Sequence, residues 1–496
     1  MPTIWPTSSL LLTDLYQLTM AQAYWKSGRG EKEAVFQMFF RRHPFDGGFT
    51  VACGLHTLIE TLTQATFEES DLAYLATLEG RDGRPLFETA FLETLRGFRL
   101  ACDIDAVPEG TVVFPFEPLV RVTGPLMQAQ LLETIILNII NFQTLIATKA
   151  ARICIAAQGE PVIEFGLRRA QGPDGGLSAS RAAYVGGCAA TSNVLAGKVY
   201  GIPVRGTHAH SWVMSFDDER EAFRTYAEVM PNNCIFLVDT YDTLEGVRHA
   251  IEVGRWLREQ GHEMVGIRLD SGDLAYLSIE ARKLLDAAGF PDAVIVASND
   301  LDETIINSLK QQGACINVWG VGTKLVTGYD QPTLGGVYKL TALRDRDADD
   351  WRYCLKLSEQ AVKISTPGIH QVRRFSVDGE LLADAIYDVR LGVTEPCVII
   401  DPLDPTRRKR IPAEAAYEDL LVPVFRGGAC VYDPPDLETV RRRAQSAVAR
   451  LSPGLKRFVN PHIYPTGLEQ SLYDLKMRLI LQARNGGQPV TRPKSS

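Results

Sequence analysis

Several short stretches combine residue types that can do chemistry, and each stands where an apolar run gives way to polar residues or glycine. Arg168 and Arg169 precede a glycine-rich turn, Gln171-Gly-Pro-Asp-Gly-Gly176. Adjacent guanidiniums can clamp a phosphate in a forked geometry while glycines let the backbone approach it, although a surface loop with structural ion pairs has the same composition. Gly206-Thr-His-Ala-His-Ser211 holds two histidines, His208 and His210, which an extended segment would turn to one face. No cysteine or acidic partner motif accompanies them, so acid/base or nucleophilic work by a histidine fits better than metal ligation. Arg268-Leu-Asp-Ser-Gly-Asp273 sets the carboxylates of Asp270 and Asp273 around a tight turn at Ser271 and Gly272. Such a pair can hydrogen-bond ribose hydroxyls or help hold a hydrated Mg²⁺, and helix capping explains Ser271 or Asp273 equally well. Arg268 needs an anion or water near its charge. Ser298-Asn-Asp300 ends another run, and Gly320-Val-Gly-Thr-Lys324 offers free amides, a hydroxyl and an ammonium, as phosphate sites on late barrel loops do.

The elements that must position these groups follow from the apolar runs. They are Pro161–Phe165, Pro203–Gly206, Cys234–Val238, Met264–Leu269, Ala293–Ala297 and Ile316–Gly320, each followed by a helix-like segment. Strands alternating with helices mean βα units and a parallel sheet, and a closed or irregular barrel fits this as well as a doubly wound sheet. Reactive groups in βα barrels gather at the C-terminal ends of the strands, where this chain puts its unusual residues. Before this region, a helix is expected from Thr13 and Asp14 to about Trp25. Residues 34 to 130 mix β-like runs at Ala34–Phe40 and Gly110–Phe114 with polar helices between residues 56 and 97, an α+β pattern. Beyond residue 366 the βα rhythm is lost. The basic run Arg407-Arg-Lys-Arg410 reads as solvated surface, and Asn485 to Ser496 as a frayed tail. The expected division is 1–145, an α+β flanking domain whose first helix contributes to the site; 146–365, the catalytic α/β domain; and 366–496, packing back on the flanking domain.

Composition sets the outer bounds. The 496 residues suggest two or three compact units, and 45% hydrophobic with 23% charged residues is ordinary globular composition. A net charge of −8 argues against gripping nucleic acid. Nine scattered cysteines without a Cys-x-x-Cys pair favour reduced thiols, and the N-terminal stretch lacks a secretory signal, so a cytoplasmic protein is expected. Met127–Ala147 is the most apolar stretch but carries too many polar groups for a bilayer span, while Leu132, Ile135, Ile136, Ile139 and Ile140 recur at helical spacing. It is expected to be a buried helix, with no membrane partner.

Eight segments in order then resemble the nicotinate phosphoribosyltransferases: Thr13-Asp-Leu-Tyr-Gln17, Phe40-Arg-Arg-His-Pro-Phe45, Gly166 to Gly176, Gly206 to Ser211, Asp270 to Asp273, Ser298 to Asp302, Gly320 to Thr323 and Gly335-Gly-Val-Tyr-Lys-Leu340. The likeness covers nearly the whole chain and is weakest beyond about residue 400. It implies an irregular α/β barrel with a second α+β domain, working as a homodimer. It also implies formation of nicotinate mononucleotide and pyrophosphate from nicotinate and 5-phosphoribosyl 1-pyrophosphate, with Mg²⁺ carried mainly by the substrate phosphates and ATP as co-substrate. By the same resemblance, Tyr16, Thr207 and Arg268 would contact nicotinate, and Arg168, Arg169, Asp270, Gly272, Asp273, Gly322 and Thr323 would line the phosphoribosyl pyrophosphate pocket. His210 occupies the place of the transiently phosphorylated histidine, while His208 stands where relatives usually carry an apolar residue, leaving open whether it shares the role. Phe236-Leu-Val-Asp-Thr-Tyr-Asp-Thr243 has the hydrophobic-then-acidic outline used by the other large phosphoribosyltransferase class, but lacks paired adjacent acids and a following Thr-Gly, and reads as coincidental. The alternatives are a transferase for nicotinamide or quinolinate, and a non-catalytic phosphosugar-binding protein.

Overall fold

Parallel strands that are covered on both faces must be apolar along their length, and the six runs of the central region meet that requirement. In the computed structural model, which describes residues 9–485, the chain forms two compact units, residues 146–332 and residues 1–145 with 333–496. All but the first residue of the expected frayed tail lie outside the described residues.

The 146–332 unit is built on a six-stranded, wholly parallel sheet in the order Ala190–Thr191, Val162–Glu164, Val318–Val321, Val294–Ala297, Gly266–Leu269, Ile235–Leu237. Five of the six expected runs supply strands. The sixth, Pro203–Gly206, contributes a single parallel bridge, Val204 to Thr191. Proline cannot donate to a ladder, so Pro203 only accepts, from Thr191 N–H at 3.0 Å, and Arg205 N–H closes the bridge on Thr191 O at 3.0 Å. The Ala190–Thr191 strand is an addition to the expected set. Five helices of this unit begin with a side-chain cap: Asn193, Asp218, Asp242, Asp273 and Asp302 each accept a backbone N–H of the first turn. Each cap contributes about 1 kcal/mol and fixes where a loop ends. Among them Asp273 takes Tyr276 N–H at 3.0 Å, the capping role that the sequence allowed for it.

A charged network is buried in the same unit. The fully buried ammonium of Lys149 lies 2.8 Å from Glu303 Oε2 and 2.8 Å from Asp330 Oδ2, and Arg152 Nε donates to Glu303 Oε1 at 2.8 Å. Glu303 opens the helix after the Ser298–Asp302 loop, so the network ties that loop's base to the Glu133–Ala157 helix. That helix is long and apolar enough to cross a membrane, but 72% of its most apolar window is buried, as a core helix requires.

The other unit holds a seven-stranded antiparallel sheet, Arg352–Tyr353, Val337–Arg344, Glu33–Phe39, Val120–Pro125, Asp103–Ala106, Val422–Arg426, Ala429–Cys430. Val337–Arg344 pairs along Glu33–Phe39, so the chain leaves the parallel unit after Pro332 rather than at residue 365. Its apolar residues find a partner strand here, which a reading of βα rhythm alone could not show. A second, mixed sheet runs Arg408–Arg410, Val398–Ile400, Thr466–Glu469, Glu380–Asp388, His370–Val377, Ala416–Asp419. The first long helix is Leu15–Lys26, and its N-cap Asp14 accepts from Thr134 Oγ1 at 3.0 Å instead of capping its own first turn. In the mixed sheet, Arg374 pairs with Asp384, Tyr464 Oη donates to Asp384 Oδ1 at 3.0 Å, and Phe114 stacks on Tyr464 at 4.0 Å.

Candidate active site

In an all-parallel sheet every strand ends on the same side, so the loops after Glu164, Leu237, Leu269, Ala297 and Val321 leave from one rim. Glycine is needed where the first and last of these approach each other. A Cβ on Gly166 would sit 2.3 Å from Val326 Cγ1, and one on Gly320 would sit 2.6 Å from the Phe165 ring. Glu164, fully buried, is structural: it accepts from Ser180 Oγ at 2.9 Å and Thr191 Oγ1 at 2.6 Å, locking neighbouring segments below the rim.

Arg268 is the hub of the rim. Its Nε donates to Ser298 Oγ at 2.8 Å, Nη1 to Thr207 Oγ1 at 3.1 Å and Nη2 to Asp270 Oδ1 at 2.8 Å, with the Phe165 ring 5.5 Å from its guanidinium carbon. Three of the five guanidinium N–H donors are thus committed and two remain for a ligand. Burial pushes the Asp270 carboxyl up, but the hydrogen bond from Ser298 and the charge of Arg268 outweigh it, and the group is held below the usual carboxylate range. Asp270 is therefore an anion at neutral pH.

His210 Nε2 lies 3.8 Å from Asp270 Oδ2 and 3.9 Å from Asp239 Oδ1, while Nδ1 is 3.2 Å from Thr240 Oγ1. Asp239 is a residue that the sequence reading set aside. Its Oδ2 accepts Asp270 N–H at 3.1 Å and Ser271 Oγ–H at 2.6 Å, which shapes the Asp270–Asp273 turn. Its other oxygen is buried without a hydrogen-bond partner and faces the imidazole. The signal was available: Asp239 follows its apolar run as Asp270 follows Leu269. Thr240 and Ser298 join the site for the same reason.

The two histidines do not share a face. His208 is buried against Tyr226 and Phe223, with ring centroids 4.9 and 6.1 Å away, and Leu237 N–H donates to its Nε2 at 3.2 Å. Burial lowers its pKa to about 4, so it stays neutral. The expected common orientation fails because the chain turns into a short helix at His210, breaking the two-residue period of an extended segment.

A second group forms on neighbouring loops. Arg169 Nη1 donates to Thr323 Oγ1 at 3.1 Å and lies 4.0 Å from Asp300 Oδ1, and Lys324 pairs with Asp302 at 2.6 Å. Gly322 caps the Thr323–Val326 helix, and Gly272 adopts φ +77°, a conformation that favours glycine. Arg168 is exposed beside Arg169 and has no hydrogen bond or ion pair to the others among the described residues. Tyr16 lies in the other unit, exposed on the Leu15–Lys26 helix. No group of three or more His, Cys, Asp or Glu side chains is arranged to hold a metal among the described residues.

Comparison with known proteins gives a consistent result along the chain. Residues 161–353 match the nicotinate phosphoribosyltransferase (NAPRTase) family, residues 11–141 its N-terminal domain and residues 370–476 its C-terminal domain. The chain is similar to the nicotinate phosphoribosyltransferase of Bacillus subtilis, 43% identical with 96% of each chain covered. It is 36% identical to the human nicotinate phosphoribosyltransferase, over 94% of this chain and 95% of the human one. Among solved structures, that of human nicotinic acid phosphoribosyltransferase matches with a TM-score of 0.81 and 33% identity, covering 94% of this chain and 99% of that one. Nicotinate-nucleotide pyrophosphorylase from Pyrococcus furiosus matches with a TM-score of 0.66 at 20% identity, a likeness of fold, with 91% of this chain and 99% of that one covered.

Proposed function

Given that the chain belongs to the nicotinate phosphoribosyltransferase family, an enzyme family that makes nicotinate mononucleotide in NAD biosynthesis, we propose that the rim around Arg268, Asp270 and His210 is its reaction centre. The carrying observation is the continuous array from Thr207 through Arg268 and Asp270 to His210, a cation and an anion held side by side. The parallel strands, with Val204 bridged to Thr191, read as an irregular barrel interrupted between Val204 and Ile235.

In this reading the free N–H groups of Arg268 receive the nicotinate carboxylate, supported by Thr207. The pyridine nitrogen attacks the anomeric carbon as its bond to pyrophosphate breaks. Positive charge grows on the ribose and negative charge on the leaving group, so the site must meet both. Asp270, ionised at neutral pH, stands for the ribose side. Arg168, Arg169, Thr323 and the amides around Gly272 and Gly322 stand for the phosphates, with Asp273 fixing the turn. Mg²⁺, held mainly by the substrate phosphates, would supply positive charge to the departing pyrophosphate.

ATP coupling runs through His210. An imidazole nitrogen attacks the γ-phosphorus, a P–N bond forms as the P–O bond to ADP breaks, and later hydrolysis returns the free histidine. Thr240, with its Oγ1 3.2 Å from Nδ1, would hold the ring's orientation, with Asp239 beside Nε2. The enzyme works in the cytoplasm as a homodimer in this reading, as the family resemblance implies. Incubation with γ-phosphate-labelled ATP tests the coupling: His210→Ala should abolish acid-labile labelling and His208→Gln should retain it. Labelling that survives in His210→Ala removes this step.

A further inference from the structure

Outside the parallel unit, a cavity of about 780 Å³ opens beside the edge strand Arg408–Arg410 of the mixed sheet. Its charge is lopsided. Arg407, Arg408, Lys409 and Arg457 line it, and the one acidic residue of the lining, Asp401, spends its Oδ1 on the amides of Leu403 and Asp404 at 2.8 and 3.1 Å. Arg407 has an ion pair with Asp404 at 3.2 Å. Arg408 and Lys409 have only backbone carbonyl partners, Pro405 O at 3.1 Å and Leu382 O at 2.9 Å, and Arg457 has neither hydrogen bond nor ion pair among the described residues. Three cations without carboxylate partners therefore line one cavity of a chain whose net charge is −8. Such a field concentrates anions rather than repelling them.

Part of the lining is apolar, with Pro461, Ile463, Tyr464 and Pro465 set between Asn460, His462 and Thr466. Tyr464 is fixed twice, by its hydrogen bond to the buried Asp384 at 3.0 Å and by stacking on Phe114 at 4.0 Å, and Ile463 beside it is 67% exposed. A cavity of this size with a partly apolar lining and a few polar groups has the make-up of a small-molecule site, and free phosphate would leave most of it empty. We propose that this cavity is a second ligand site, separate from the reaction centre, that takes a mononucleotide, with the phosphate on Arg408, Lys409 and Arg457 and the base against Tyr464 and Ile463. Forked guanidiniums suit a phosphate monoester, whose terminal oxygens accept several N–H bonds at once. The inference does not depend on the chemistry assigned to His210 and Asp270.

Photolabelling of the full chain with 8-azido-AMP, followed by peptide mapping, tests it. Labelling is expected on peptides within 399–410 or 455–466, displaced by AMP at concentrations at least about tenfold below those of inorganic phosphate needed for the same effect. Arg408→Glu with Arg457→Glu should cut this labelling at least about tenfold while leaving any labelling of the parallel unit unchanged. Arg408→Gln with Arg457→Gln, which avoids charge reversal, should weaken it in the same direction. Labelling confined to peptides of residues 146–332, or unchanged in both double variants, overturns the site. Displacement by phosphate as effective as by AMP overturns its assignment to a nucleotide.

Discussion

Leu237 N–H donates to His208 Nε2 at 3.2 Å, and together with the 3.2 Å contact of His210 Nδ1 and Thr240 Oγ1 this bond joins two segments that no strand pairing connects. Val204 is bridged to Thr191 on one side, and Ile235–Leu237 is the last strand of the sheet on the other. The imidazole thus takes the Leu237 amide at the edge of the sheet. Because Nε2 accepts, the ring proton resides on Nδ1, 3.4 Å from Ala209 O, and the ring is neutral. His208 thereby sets the backbone from Thr207 to His210, flanked on both sides by residues of the proposed reaction centre. His208→Phe keeps the aromatic contacts but leaves Leu237 N–H unpaired, at a cost of about 1–3 kcal/mol. It should also lower kcat more than it raises KM for nicotinate, while His208→Gln, which can still accept, should recover most of the turnover. Steady-state kinetics on the two variants, with urea unfolding beside them, make the comparison.

Acid stability should follow from three buried histidines. Burial holds His43 at about 3, and His208 and His370 at about 4, against an ordinary value near 6.5 in the unfolded chain. Unfolding therefore takes up protons between about pH 6.5 and these lower values, so stability is full above pH 6.5 and falls as the pH drops through that window. Urea midpoints measured from pH 7 to pH 4.5 should decline steadily, and His208→Gln should show a shallower decline.

Lys476 predicts a second rise of stability with pH, in the alkaline range. Burial depresses its amine to about 8, with only Thr366 Oγ1 at 3.1 Å as a hydrogen-bond partner. The unfolded chain holds this proton up to about pH 10.4, so the penalty is fully present below pH 8 and is relieved as the pH rises through the interval. Lys476→Met should raise stability at pH 7 by about 1–2 kcal/mol, and the gain should shrink by pH 9.5.

Lys149 tests the buried charges beneath the site. Lys149→Met removes the ammonium that faces Glu303 and Asp330, leaving Glu303 with Arg152. Breaking one partner of a buried ion network costs about 3–5 kcal/mol. Lys149→Met with Glu303→Gln should recover part of that loss, measured by chemical denaturation.

Arg268→Lys separates acceptor recognition from folding. Lysine can still pair with Asp270 but cannot span Ser298, Thr207 and Asp270 together while offering further donors. The kcat/KM for nicotinate should fall by about a hundredfold, corresponding to about 3 kcal/mol, with little effect on any residual turnover of nicotinamide.

Much of this arrangement was legible in the residues, and the exceptions have physical causes. Runs such as Met264–Leu269 and Ala293–Ala297 declare themselves because a strand covered on both faces must be apolar throughout. Ala190–Thr191 does not, being two small residues long and held by its neighbours. Pro203–Gly206 has the composition of a strand but lacks a donor at Pro203. Arg268, Asp270 and His210 could be picked out because charge at the end of an apolar run needs a reason. Asp239 obeys the same rule, although the motif outline of its segment, lacking paired acids, points away from it. The turn that sends His208 inward and His210 toward Asp270 depends on tertiary contacts with Tyr226 and Leu237, to which local spacing is blind. The pairing of Val337–Arg344 with Glu33–Phe39 is likewise a long-range fact.

The most direct measurement is pyrophosphate release from 5-phosphoribosyl 1-pyrophosphate with nicotinate, nicotinamide or quinolinate as acceptor, each with and without ATP. The account predicts release with nicotinate, raised by ATP, at least about a hundredfold above either rival acceptor. Equal release with nicotinamide, or no release with nicotinate under any condition, would contradict it.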